Sequence, residues 1–204
     1  MPVIFGQVGA PSNTSAADGS NQPILQGKAA EGIVAELHGK FYTAAYRNRL
    51  FFGSALIAGV TIPVNTTTAP TFTLFNPLGS GVNLELASLD IGWPAGATTV
   101  VGTILGSVST QTPTSTTAGG TTIAVPIGAG GVAQAKLFTA ATISAITTHI
   151  PLITLSTVTE TMNPAHVDFD GRIVIAPGGL ITLTSTPVQT GVAIPSFCWA
   201  EWPQ

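Results

Sequence analysis

Charge is unusually scarce in this sequence. Only 7% of its 204 residues are Asp, Glu, Lys or Arg, where a soluble domain averages roughly 25%. Surfaces normally owe their solubility to those side chains. A chain with so few must cover itself with Thr, Ser, Asn and Gln, bury much of its surface against other protein, or do both. Six Lys and Arg against nine Asp and Glu give a net charge of −3 and a pI near 5.4. No basic footprint for nucleic acid exists in that balance. The charges are also unevenly placed. Lys28, Glu31, Glu36, Lys40, Arg47 and Arg49 crowd one early stretch, and no charged side chain occurs from Leu50 to Leu84 or from Ile91 to Ala135.

Cysteine is scarcer still. Cys198 is the only one, which rules out an intrachain disulfide and a Cys-based zinc site; it reads as a small buried hydrophobe rather than a reactive thiol. No segment carries a sustained 3.6-residue apolar stripe with caps at both ends, which argues against alternating βαβ architecture. No fixed-period repeat points to a solenoid or propeller. The opening MPVIFGQVGAPSN has neither the basic start nor the apolar run of a secretory leader. Leu50–Val64 is apolar but too short for a membrane-spanning helix, and Pro63 interrupts it. These absences fit synthesis and assembly in a reducing cytoplasm.

What is present reads as strand. The chain is 45% hydrophobic with a mean hydropathy of +0.46, and is long enough to bury a core without staples. Residues 1–29 read as an extended N-terminal arm, rich in Gly, Pro, Ser, Asn and Gln. Its scattered Val3, Ile4, Phe5, Ile24 and Leu25 suit either a segment that orders on a neighbour or simple terminal disorder. Residues 30–204 read as one domain. Ile33–Gly39 begins a strand that Phe41–Arg49 continues. Beyond it, β-branched and apolar runs alternate with Gly, Pro, Asn and Ser: Ser54–Val64, Thr71–Phe75, Val82–Leu89, Thr98–Val108, Thr121–Ile127, Ala133–Ile143, His149–Thr161, Arg172–Ala176, Leu180–Ser185 and Ile194–Trp202. Pro151 places the start of its strand after it. Two hairpins are expected, one about Asn76–Gly81 and one about Pro177–Gly179. Ser109–Gly120 (STQTPTSTTAGG) reads as an exposed polar loop. Strands at roughly 8–12-residue spacing, closed by aromatics, predict an all-β fold: a jelly-roll-like β-sandwich or barrel with an extended arm.

Chemistry-bearing patterns are sparse. No Gly-x-Ser-x-Gly elbow, HExxH helix or Gly-Lys-Ser/Thr phosphate loop occurs. His166-Val167-Asp168-Phe169-Asp170-Gly171-Arg172 concentrates the polar groups. On a strand, His166, Asp168 and Asp170 would share a face suited to half a cation site; as a turn, the Asp side chains would bond the backbone. The turn is the expectation. His38 and His149 have no ligand-spaced partner and read as structural or surface groups. Glu36, His38 and Lys40 read as a polar row on a strand. Trp93, Phe197, Trp199 and Trp202 form either a sugar-stacking platform or, as expected here, core and interface. No catalytic, cofactor-binding or metal-ligating residue is assigned, no cofactor is implied, and the chain is read as non-enzymatic.

The arm, GIVAELHGKFYTAAYR, FTLFNPLGSGVNLEL, IAPGGLITLTSTP and the closing FCWAEWP together resemble structural proteins of tailed-bacteriophage virions, in particular jelly-roll head decoration (cement) proteins. The resemblance implies a virion protein on the capsid surface that contacts the major capsid protein, associates with itself as a homotrimer and touches neither nucleic acid nor membrane. Its length also suits a tail or head-fibre module that binds a host receptor or glycan. A metal-dependent hydrolase built around His166 and Asp168 is the third reading.

Overall fold

The computed structural model describes residues 6–8, 24–26, 40–64, 69–94, 102–119, 122–125, 127, 130–155, 164–187 and 189–204. The chain divides into two compact units, Met1–Tyr42 and Thr43–Gln204. In the first, strands β1 (Gly6–Val8) and β2 (Ile24–Gln26) pair in parallel. Val3, Ile4 and Phe5, and the run Ile33–Gly39 with Glu36 and His38, lie outside the described residues.

The expected strand over Phe41–Arg49 is instead a short helix, α1 (Tyr42–Tyr46). Ala44 and Ala45 favour helix, and Asn48 ends it in the left-handed conformation at φ 54°. Asn48 N–H donates to Ala45 O at 2.9 Å and Arg49 N–H to Ala44 O at 2.8 Å, the paired bonds of a Schellman cap.

Among the described residues thirteen strands follow: β3 (Leu50–Ser54), β4 (Val60–Thr61), β5 (Ala69–Phe75), β6 (Val82–Gly92), β7 (Gly102–Ser109), β8 (Thr114–Ala118), β9 (Ile123–Val125), β10 (Lys136–Ile143), β11 (His149–Leu155), β12 (Ala165–Asp168), β13 (Val174–Ile175), β14 (Leu180–Thr186) and β15 (Val192–Pro203). One sheet runs β12-β6-β15-β3-β9, with β13 on β6 and β4 on β15; the other runs β11-β7-β14-β5-β10-β8. Take β3, β5, β6, β7, β11, β12, β14 and β15 as strands one to eight. The sheets then read six-three-eight-one and five-four-seven-two, which is the jelly-roll order of two Greek keys. The expected all-β, jelly-roll-like sandwich is what forms. The segment between the fourth and fifth of these strands adds β8 and β10 to one sheet and β9 to the other.

The core lies between the sheets. Leu84, Leu86, Leu89, Ile91, Phe197 and Trp199 from one sheet meet Phe72, Leu74, Ile104, Ile181 and Leu183 from the other. Phe72 stacks on Phe197 across the gap with ring centroids 5.5 Å apart, and each such buried side chain contributes about 1.5–3 kcal/mol. A Cβ on Gly53 would lie 2.8 Å from Leu137 and 3.4 Å from the Trp199 ring, so glycine there makes room for both. Along β6 the inward set shifts from Leu84 and Leu86 to Leu89 and Ile91, because the register slips where Cys198 faces Ser88 and Trp199 faces Leu86. Ala87 is the extra residue, a β-bulge that resets the alternation.

Both expected hairpins are corrected. β5 and β6 lie in opposite sheets, as do β13 and β14, so Asn76–Gly81 and Ala176–Gly179 are arches that cross the sandwich. Both strands of each pair bury an apolar face toward one core, and the better-matched partners are the long strands β14 and β15. Ser109–Gly120 is corrected too: its threonines build the edge strand β8. β11 starts at His149 and contains Pro151, tolerated because β11 is an edge strand and its pairing with β7 shifts register there.

Candidate functional site

The segment richest in polar groups folds as a turn. β12 ends at Asp168, and the turn Phe169–Arg172 closes with Arg172 N–H on Phe169 O at 2.9 Å. Asp170 and Gly171 both have positive φ, 53° and 70°, which makes it type I′. Asp168 Oδ1 accepts the Asp170 N–H at 2.8 Å. Arg172 donates to Phe169 O and Asp168 O at 3.2 and 3.3 Å. Phe169 enters the core, and its N–H donates to Ala87 O at 2.9 Å, so the turn docks on the β6 bulge. Since Asp170 lies in the turn, the strand row of His166, Asp168 and Asp170 does not form. His166 Nδ1 instead lies 2.7 Å from Asp90 Oδ1 on the neighbouring strand, and both side chains are exposed. Among the described residues, no three His, Cys, Asp or Glu gather in a group suited to a metal ion.

The structure brings together a pair that sequence spacing does not reveal. Ser107 Oγ lies 2.7 Å from His149 Nδ1 and 2.7 Å from Thr184 Oγ1. One step along β14, Thr73 Oγ1 donates to Thr182 Oγ1 at 2.9 Å, and Thr182 Oγ1 to Phe72 O at 3.1 Å. These groups form a row across β11, β7, β14 and β5 on the side of that sheet away from the core. Ser107, Thr73 and Thr182 have no exposed surface. A nucleophile must meet its substrate; Ser107 is enclosed, and its hydroxyl links strands.

Glu201 is the other residue that sequence reading missed. It is buried and shares strand parity with Phe197 and Trp199, so its carboxylate turns to the core side. Oε1 and Oε2 accept the Gln134 N–H at 3.0 and 2.9 Å, Oε1 accepts the Ala135 N–H at 2.9 Å, and Trp199 Nε1 donates to Oε1 at 3.1 Å. A charge in that position is tolerated because donors surround it. It ties the approach to β10 onto β15.

The aromatic platform does not assemble. Phe197 and Trp199 are wholly buried, and Trp93 packs against the core. Trp202 is on the outward face, where its Nε1 donates to Glu85 Oε2 at 2.6 Å and Arg49 lies over its ring at 5.5 Å. Cys198 points outward as well and is half-buried. Burial, helped by the negative charge of Asp90, pushes its thiol up to about 11, so it stays protonated at neutral pH.

The outward face of the β12-β6-β15-β3-β9 sheet is graded. Register aligns Ser54, Ser196, Asp90 and His166 in one row, and Ile123, Phe52, Cys198 and Ser88 in the next. The β12 side is acidic and polar; the β3–β9 side is apolar. A groove of about 720 Å³ opens elsewhere, lined by Val108, Ser109, Ile146, Thr148, Arg172 and Ile175 among others. None of the described helices is long and apolar enough to cross a membrane. No protein-family profile, curated protein or solved structure matches this chain. The described residues thus present a sheet face divided by polarity, an open groove, and polar side chains hydrogen-bonded between strands.

Proposed function

We propose that this chain is a structural virion protein, a head decoration protein that binds and stabilises a phage capsid by associating with copies of itself and with the major capsid protein. The observation that carries the proposal is the jelly-roll strand order, an architecture common to capsid and lectin domains and to cupins. Within those three, burial of Phe197 and Trp199 speaks against a sugar-stacking lectin, and the pairing of His149 with Ser107 and of His166 with Asp90 speaks against a cupin-type histidine cluster. The 7% charge content supports a surface covered by protein. A decoration protein that binds only the assembled lattice shifts equilibrium toward that lattice. Purified protein added to expanded, undecorated heads should bind saturably and raise their resistance to heat. Heads that neither bind it nor gain resistance would overturn the proposal. The groove beside Arg172 favours one second reading, a module that binds a host receptor or glycan there, and binding on a glycan array with no affinity for heads would select it.

A further inference from the structure

Among the described residues, six large apolar side chains stand exposed on β3 and β9 and in the segments that follow them. Leu56 and Ile57 lie in the turn just past β3, Phe52 and Ile123 face each other across β3 and β9, Ile127 follows β9, and Val132 lies in the approach to β10. Ile57 is 90% exposed and Ile127 84%. Scattered single exposed hydrophobics need no explanation, whereas a paired set at one sheet edge with more beside it marks a contact surface. The segments that build this set, 50–64 and 122–135, contain no charged residue.

The opposite sheet edges are built differently. Pro151 breaks the edge strand β11 where its register shifts, and the edge strand β12 displays exposed His166 and Asp168. Proline, irregular register and charge are the devices that keep sheet edges from pairing with other chains. On the other side β8 also pairs irregularly with β10, but the edge strand β9 pairs with β3 in unbroken register and carries neither proline nor charge.

We propose that the Phe52–Ile123 strip lies at the symmetry axis of a closed homo-oligomer, where it packs against the same strip of neighbouring copies. The partner follows from the charge pattern. On a rotation axis a side chain meets its own copies, so a charge there meets a like charge; the uncharged Phe52–Ile123 strip avoids that repulsion. A contact with an unlike protein carries no such restriction and is free to use charge for specificity. With the other edge guarded, copies added through the strip close into a ring or pair and do not run on into a filament.

This inference rests on the self-association proposed above, and the test separates the two. The full-length chain, its Ile123→Asp and Val132→Asp variants and an Ile57→Lys variant in an irregular turn are compared by multi-angle light scattering across micromolar concentrations. Leu78→Asp and Val174→Asp, at exposed apolar positions off the strip, serve as controls, and circular dichroism checks that each variant folds. The strip variants should dissociate on the order of 100-fold more readily than the parent, as expected for a charge placed in an apolar contact, while both controls keep the parent mass. Folded strip variants that keep the parent mass would overturn the strip as interface and leave self-association standing. A parent chain that is monomeric throughout would remove self-association, and the strip's role with it.

Discussion

A carboxylate on the core side of a strand must find donors or lose its charge, and Glu201 finds them in two backbone amides and the Trp199 indole. Glu201→Ala would leave those N–H groups buried and unpaired, and should lower unfolding stability by about 3 kcal/mol, read from the shift of a urea midpoint at constant slope. Glu201→Gln keeps one acceptor and should cost less; equal loss in both variants would mean that the charge, not the hydrogen bonding, is what matters. Cys198 supports a prediction of opposite character. With its pKa pushed up to about 11 by burial and by Asp90, the native protein should react with iodoacetamide far more slowly than the urea-unfolded chain at pH 8, because the thiolate is the nucleophile. The sign for stability follows: a raised thiol pKa favours the fold while both states are protonated, and that advantage is lost as pH rises from the ordinary thiol range through 11. Rapid alkylation of the native protein at pH 8 would contradict this. Neither residue's role was legible beforehand. Glu201 stands in a run of aromatics where parity alone hints that it points inward, and Cys198 has the opposite parity to Trp199, which places it on the outward face and not in the core expected for it.

The two arches hold each other. Asn76 N–H donates to Gly179 O at 2.9 Å and Gly178 N–H to Asn76 O at 2.7 Å, while Asn76 Nδ2 donates to Val82 O at 2.8 Å and Ile175 O at 2.9 Å. One side chain therefore bridges both crossings of the sandwich. Asn76→Ala should cost about 2 kcal/mol by leaving the buried Ile175 carbonyl without this donor and the part-buried Val82 carbonyl with only the longer bond from Ser80 Oγ. Asn76→Asp should cost more, since a carboxylate would face those carbonyl oxygens in place of the amide. A urea midpoint unchanged in both variants would show the bridge to be idle. Strands themselves were easy to read: Thr71–Phe75, Val82–Leu89 and Leu180–Ser185 all fall in strands, because alternation and β-branched content are local properties. Their partners were not, because Pro-Leu-Gly and Pro-Gly-Gly satisfy a hairpin and an arch equally well. Which one forms depends on whether the best cross-strand match is next in sequence or, as for β6 with β15, more than a hundred residues away. The Thr-rich stretch that became β8 failed for a related reason: threonine suits both a solvated loop and a strand edge, and β10 decided between them. The His166–Arg172 turn was legible because Asp-Gly in a type I′ turn is a strong local preference.

Across the whole molecule, the segment between β7 and β11 widens both sheets of the jelly roll and supplies β9, one side of the bare strip. Self-association through such a surface has a thermodynamic signature that separates it from assembly by salt bridges. If copies associate in the folded state only, mass action couples stability to concentration, and the thermal midpoint should rise with protein concentration. Because the segments 50–64 and 122–135 carry no charge, adding sodium chloride from about 0.05 to 1 M screens nothing across the contact and should leave the association constant within about a factor of two. Sodium sulfate, which strengthens apolar burial by exclusion from protein surfaces, should tighten it. An interface built on the acidic side, about Asp90, His166 and Asp168, predicts the reverse in chloride: association would weaken or strengthen steeply with ionic strength according to the sign of its partner. Sedimentation equilibrium in the two salts distinguishes these cases with the unmodified chain. A thermal midpoint that ignores concentration, or an association constant that moves tenfold or more with sodium chloride, would place the contact somewhere other than the apolar side of the sandwich.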